Sequence, residues 1–163
     1  MEIRLATPDE YAEVGDITAA AYTPFLLGPD DPYADRLRDA AGRAGDAELW
    51  VAVEDGRLLG SVTEPPHGSG YRELAGPDEG EFRMLAVAPE AQGRGVGAAL
   101  VRHVVERSRS QGHRAVVISS LPEMTAAHRV YERFGFRRVP GLDWYPLPEV
   151  LLIAFRLDLE PAP

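Results

Sequence analysis

Residues 81–99, EFRMLAVAPEAQGRGVGAA, constrain this chain more than any other stretch, because a strand, a turn and a glycine-rich helix entrance follow one another there without a gap. Residues 82–87 are mostly apolar, in a run too short for a helix and bounded by a turn, which is the pattern of a strand; Pro89 ends it. Residues 92–97 then read Q-G-R-G-V-G, and from Val96 onward Leu100, Val101, Val104 and Val105 fall at helical spacing. The glycines therefore open a helix. Such an end carries unpaired N–H groups and the positive end of the macrodipole, and glycine lets a ligand approach the backbone closely. The chemistry expected there is anion binding, with phosphate as the anion.

Three phosphate-binding readings compete for this loop. A P-loop needs Lys followed by Ser or Thr after its last glycine, and the chain has no lysine. A dinucleotide fingerprint, G-x-G-x-x-A, is met by Gly93, Gly95 and Ala98. Its glycines should follow the strand directly, however, with an acidic residue about twenty positions on. Here residues 88–92 intervene, and the next strand ends in Ser119 and Ser120. The third reading fits best. The stretch resembles motif A of the GNAT superfamily of acyl-CoA-dependent N-acyltransferases, Q/R-x-x-G-x-G/A after a strand ending Leu-Ala-Val-x-Pro, with Gln92, Gly95, Gly97 and residues 85–89 in register. Further on, AAHRVYERFGF is similar to the family's A-x-x-x-Y-x-x-x-G-F, through Ala127, Tyr131, Gly135 and Phe136. It departs at Met124, where family members often carry Asn.

The rest of the chain supplies an order of elements. Residues 2–6 alternate as a first strand; Thr7 and Glu10 form a T-x-x-E capping box with Pro8 at the first helical position, for a helix to about Tyr22. An acidic, turn-rich loop over 23–32, including 29–32, precedes a second helix over 33–44. Residues 49–53 and 58–62 read as an antiparallel hairpin turned at Asp55-Gly56, and residues 65–78 as a loop. The glycine-rich helix ends near Gln111 with Gly112 beyond it. Residues 115–120 form a buried strand parallel to the central one, and a helix from Thr125 is closed by Gly135. Strands over 136–139 and 150–157 flank a loop over 140–149. This is the GNAT order. It implies an α/β (α+β) fold: one mixed, mostly antiparallel twisted sheet with a central parallel strand pair, flanked by about four helices, as a single domain over 1–163.

The resemblance also implies roles. Backbone N–H groups of Gln92, Gly93, Arg94, Gly95, Val96, Gly97 and Ala98 would hold the pyrophosphate of acetyl-CoA, with the Arg94 side chain beside it. Leu85, Ala86 and Val87 would pair with the pantetheine arm, and Ser119 and Ala127 would complete the cofactor site. Tyr131 is the candidate acid, since a phenol of pKa about 10 is protonated at neutral pH; an aromatic on an apolar helical stripe is otherwise core. Glu81, starting the central strand, is the candidate base, with Glu73, Asp78 and Glu79 as rivals; the alternative for Glu81 is a solvated strand-end carboxylate. Trp50 is expected in the core, and Trp144 and Tyr145 are expected to wall the acceptor site.

Composition narrows the partners. A net charge of −9 disfavours nucleic acid and favours a cationic substrate. No apolar run approaches the roughly 20 residues of a membrane span, and the start of the chain lacks a signal-peptide core, so a cytoplasmic protein is expected with no membrane partner. Zero cysteines exclude thiolate chemistry, and His103, His113 and His128 lack the i, i+4 pairing of a zinc helix, so no metal is expected. The function implied is acetyl transfer from acetyl-CoA to a primary amine, on a small molecule, a protein N-terminus or a Lys side chain, by a monomer or homodimer. The alternatives are a non-catalytic acyl-CoA-binding sensor or a dinucleotide-binding domain.

Overall fold

The computed structural model describes residues 1–26, 28 and 30–160; of the acidic stretch expected over 29–32, Pro29 lies outside them. The chain opens with β1 (Glu2–Leu5) and a short 3₁₀ turn leading into α1 (Tyr11–Tyr22). The Glu10 carboxylate accepts from the Thr7 N–H at 2.9 Å, as the capping pattern requires. The helix expected over 33–44 is two helices, α2 (Tyr33–Arg38) and α3 (Ala40–Asp46). Asp39 breaks it. Its ψ of 63° leaves helical geometry, and its carboxylate caps α3 by accepting from the Gly42 N–H at 2.9 Å. The orphan carbonyls ending α2 are met by Arg43, which is 0% exposed and donates to the Arg36 and Leu37 carbonyls at 2.9 and 2.8 Å.

β2 (Glu48–Glu54) and β3 (Arg57–Glu64) form the expected hairpin, with Asp55 and Gly56 both at positive φ in the turn. The central strand departs from expectation. It divides into β4 (Glu79–Glu81) and β5 (Arg83–Val87), with Phe82 between them and Met84 at φ 52°. β5 joins the first sheet, in order β1-β2-β3-β5 and antiparallel throughout. β4 pairs in parallel with β6 (Ala115–Ser120) in a second sheet, with Glu79 opposite Ala115 and Glu81 opposite Val117. That second sheet continues antiparallel through β9 (Val150–Asp158) to the short β7 (Arg137–Arg138). The expected loop over 140–149 contains a further strand, β8 (Trp144–Leu147), paired with β9. Two sheets sharing one interrupted strand thus replace the single sheet expected, while the mixed, mostly antiparallel class with one parallel pair stands.

α4 (Val96–Ser110) and α5 (Thr125–Arg133) cover one face, where Val62, Phe82, Val96, Leu100, Val104, Ile118, Tyr131 and Phe155 form the main core. With α1, α2 and α3 they make five α-helices among the described residues, against about four expected. α1 and α3 cover the opposite face over Val51 and Leu58. α4 lies close on the sheet at Gly60, where an added Cβ would stand 2.6 Å from the Ala86 carbonyl oxygen and 2.9 Å from Val96 Cγ1. Among the described residues no helix is long and apolar enough to cross a membrane.

α4 is fastened to the hairpin by Arg107, which donates to Glu48 at 2.6 Å and to Glu64 at 3.1 Å and lies 4.6 Å over the ring of Trp50, the core residue expected. Glu64 is buried and its Oε2 has no partner, so burial pushes its carboxyl up to about 7 against the pull of Arg107. The folded protein holds a proton here that the unfolded chain, titrating near 4.5, releases. This contribution is complete below about pH 4.5 and is lost as pH rises to about 7, to the extent of about 3 kcal/mol. Glu64→Gln keeps an acceptor for Arg107 and abolishes that loss. Its Tm relative to wild type should climb by several degrees between about pH 5 and about pH 8. A Tm difference flat across that range would show that Glu64 titrates like an ordinary carboxyl.

Candidate active site

The end of β5 and the start of α4 form the anion cradle. Gly93 and Gly95 have φ of 79° and 80°, a region costly for other L-residues, and a Cβ added at either meets nothing within 4 Å. Space therefore lies in front of the turn. The N-terminus of α4 has no side-chain cap and no acidic residue in its first turn, so its N–H groups and dipole meet no carboxylate of their own helix. Gln92, Gly93, Arg94 and Gly95 are exposed, Gly97 and Ala98 half-buried, and Val96 points into the core. Arg94, expected beside the pyrophosphate, has its guanidinium paired with Glu54 at the end of β2.

The cradle opens into a cleft between the sheets. β5 is hydrogen-bonded to β3 and β4 to β6, and beyond Glu81 opposite Val117 no ladder joins the two sheets among the described residues. One edge of the Leu85, Ala86 and Val87 backbone is thus left unpaired toward β6. Ser119, at the end of β6, accepts from the Trp144 indole N–H at 3.1 Å, so Trp144 closes that end while Tyr145 is 62% exposed. Ala127 is half-buried on α5, one turn before Tyr131.

Tyr131 is 2% exposed, with its ring 5.7 Å from that of Phe82, 5.6 Å from Phe155 and 5.9 Å from Phe136. The ring is therefore a core residue, as an aromatic on an apolar helical stripe is expected to be. The hydroxyl has no partner among the described residues, yet it is not one of the fully occluded orphan atoms, so it keeps some accessible surface. Burial raises its pKa well above the usual phenol value.

Glu81 is where the structure departs furthest from expectation. It is 0% exposed rather than solvated, and its carboxylate accepts from the N–H groups of Glu73, Leu74 and Ala75 at 3.0–3.1 Å. It holds the loop between β3 and β4 in place. Arg72 helps from within that loop, donating to the carbonyls of Gly76 and Glu79 at 2.6 Å each. A group that strand periodicity could not reveal results on this side. Arg83, first residue of β5, lies with Nε 2.8 Å from Glu73 Oε1, donates to the Tyr71 carbonyl at 3.2 Å, and reaches the Tyr33 hydroxyl at a long 3.5 Å. Tyr22 stands edge-on to Tyr33 at 6.5 Å, and Met124, at the departure from the family pattern, packs in the same cluster with Met84.

The acetyltransferase (GNAT) family model matches residues 12–136. Mycothiol acetyltransferase of Cellulomonas flavigena is 35% identical over 116 residues, 66% of this chain and 33% of that protein. N-acetylaspartate synthetase of Rattus norvegicus is 33% identical over 113 residues, 69% of this chain and 36% of that protein. The chain spans about a third of the length of these curated relatives. Salmonella typhimurium yncA, solved with its cofactor acetyl-CoA, superposes with a TM-score of 0.69 at 21% identity, covering 100% of this chain and 96% of that one, a likeness of fold.

The bonds at Glu81 carry a test of their own. Hydrogen bonds to a charged group contribute roughly 1.5–3 kcal/mol each, and Glu81→Gln replaces one acceptor oxygen by a donor that faces an N–H. In hydrogen–deuterium exchange the amides of Glu73, Leu74 and Ala75 should be protected in the wild type and exchange at least tenfold faster in the variant, with the α4 amides unaffected. Equal protection in both proteins would show that the loop is held by other bonds.

Proposed function

The chain belongs to the acetyltransferase (GNAT) family, and from that premise we propose that it transfers the acetyl group of acetyl-CoA directly to a primary amine. The observation that carries this reading is the open glycine turn at an uncapped helix N-terminus, set at the mouth of two parted strands. A Cβ at Gly93 or Gly95 would project into free space in front of the turn, which is the room a pyrophosphate needs against the N–H groups of residues 92–98. The unpaired edge at Leu85, Ala86 and Val87 would take the pantetheine amides as an added strand does. Ser119 and Ala127 would line the opposite side. Bound there, acetyl-CoA supplies an acyl group activated as a thioester.

The chain's own residues then have few tasks. Transfer needs the amine held close to the acyl carbon, water excluded, and negative charge on the departing sulfur met by a donor. Tyr131 fits the last task. Its raised pKa keeps the phenol protonated, and lies far enough above an ordinary thiol, about 8.5, that we assign it hydrogen-bond donation to the sulfur rather than complete proton transfer. Glu81, occupied by three loop N–H groups, is assigned a positioning role in place of that of base. The names of the relatives, mycothiol acetyltransferase and N-acetylaspartate synthetase, support a small-molecule acceptor. We propose a single domain over 1–163 acting in the cytoplasm.

Two experiments test the reading. Calorimetry should detect acetyl-CoA and CoA binding but no NAD binding, and Gly95→Glu should weaken acetyl-CoA by 30-fold or more, through bulk and like charge against the pyrophosphate. Gly95→Ala carries the strain of positive φ without the charge and should lose far less. Unchanged affinity in a Gly95→Glu protein of wild-type circular dichroism would remove the turn from the cofactor site.

Thiol release measured across a panel of amines should reveal turnover, and Tyr131→Phe should lower kcat by about 10²-fold or more. Because the hydroxyl has no partner to lose, Tm should hold or rise. A tenfold or smaller fall in kcat, with a lowered Tm, would make Tyr131 a core residue alone.

A further inference from the structure

Glu73 lies on a loop without secondary structure, yet its backbone is held in place. Its backbone N–H donates to both oxygens of Glu81, and the bonds from Leu74 and Ala75 to the same carboxylate fix the turn that follows. Its own carboxyl is only 11% exposed. Oε1 is sealed against the Arg83 guanidinium, 2.8 Å from Nε, without the alignment of a hydrogen bond. Oε2 has no partner among the described residues and is not among the occluded orphan atoms, so it retains accessible surface.

Charged and aromatic side chains from several elements gather near that carboxyl. Tyr33 and Arg36, on α2, lie within electrostatic reach of the Glu73 carboxyl, with the Arg36 guanidinium 4.8 Å over the ring of Tyr71. Arg83 faces it from β5 and Glu81 from β4. Tyr22, on α1, lies within electrostatic reach of Arg83, Tyr33 and Tyr131, which ties this group to the cleft between the sheets. Arg83 is also one residue from Phe82, whose ring packs on that of Tyr131. Tyr33 and Tyr71, both in contact with the Arg83 that pairs with Glu73, put aromatic rings in the neighbourhood of one accessible carboxylate oxygen, a combination that suits an ammonium group.

We propose that Glu73 is a catalytic residue for the transfer described above, its free oxygen receiving the ammonium of the acceptor and taking one proton from it. The inference rests on that reading of the protein as an acetyltransferase. The acceptor R–NH₃⁺ gives one proton to the Glu73 carboxylate and becomes R–NH₂, whose lone pair forms the N–C bond to the acetyl carbon as the C–S bond breaks. The electron pair of the broken bond leaves on sulfur, which ends as a free thiol after taking the second nitrogen proton through water. Glu73 returns its proton to solvent. Burial raises the pKa of the Glu73 carboxyl, with Glu81 adding to the shift and Arg83 and Arg36 opposing it, which brings the carboxylate closer to the basicity the step requires.

The test compares Glu73→Gln, Glu73→Asp and Glu81→Gln by thiol release over a range of pH, with acetyl-CoA affinity measured by calorimetry in each and n-butylamine binding to the CoA complex followed by saturation-transfer NMR. Glu73→Gln should bind acetyl-CoA within threefold of wild type, lose n-butylamine binding, lower kcat/KM for amine by 10²-fold or more, and abolish the acidic limb of the pH profile. Glu73→Asp should keep the limb with a smaller loss, and decides the matter if the Gln variant does not fold. Glu81→Gln should lose rate while keeping the limb, as a positioning residue would. A Glu73→Gln enzyme that keeps both the limb and kcat/KM within threefold of wild type overturns the assignment and leaves the acetyltransferase reading standing. A wild-type protein that binds acetyl-CoA and releases no thiol with any amine overturns both.

Discussion

One strand cannot serve two sheets that diverge, and the interruption at Phe82 is where this chain resolves that conflict. A left-handed residue other than glycine costs of order 1–3 kcal/mol, and Met84 adopts one at φ 52°. Burial of Phe82, 0% exposed among Tyr131, Phe136 and other aromatics, is of the same order and offsets it. Much of the site follows from that exchange. β4 stays with β6, β5 stays with β3, and the gap between them is lined by backbone that has no partner strand. Because Phe82 is both the unpaired residue and the neighbour of Tyr131, the hydroxyl is fixed relative to the point at which the sheets part.

Beside the Arg83–Glu73 pair, the protein uses several charged side chains to bond backbone. Arg43 meets the carbonyls that end α2, Arg72 gathers those of Gly76 and Glu79, and Glu81 gathers three N–H groups. A buried ion left unpaired would cost several kcal/mol, so each of these groups is costly to place and costly to remove. The reward is a stretch between β3 and β4 that holds a fixed shape without a ladder of its own. Surface pairs such as Arg137 with Asp158 contribute little by comparison.

What could be read in the amino-acid order was what depends on near neighbours. The Q-G-R-G-V-G run and the apolar spacing after it identify α4 and its open end, and Asp55-Gly56 identifies the hairpin turn. Asp39 was legible in principle, since D-A-A-G places a capping side chain three residues before a free N–H; the apolar spacing of residues 33–44 outweighed it. β8 was hidden by Pro146, which suits an edge strand paired on one side only. The division at Phe82 left no local mark, because residues 81–87 read as one strand until two separate sheets claim them. Glu81 was singled out for its place on that strand, but the N–H groups it serves come from a loop without periodicity. Glu73 and Arg83 are ten residues apart and meet only once that loop has folded back, so neither composition nor spacing announces the pair.

Gly60, on the strand beside β5 and under α4, sets a dimension of the site. A single methyl at that position would stand 2.6 Å from the Ala86 carbonyl oxygen and 2.9 Å from Val96, the first residue of α4. Relief comes by lifting the N-terminal end of α4, a rod about 22 Å long, with its opposite end as fulcrum. The N–H groups at the raised tip would move by close to the full displacement, and the range of good N–H···O distances is only about half an ångström wide. The spacing of the glycine turn is therefore set by an atom missing from the neighbouring strand, and drift at Gly60 would displace that turn while every residue of the turn stayed the same.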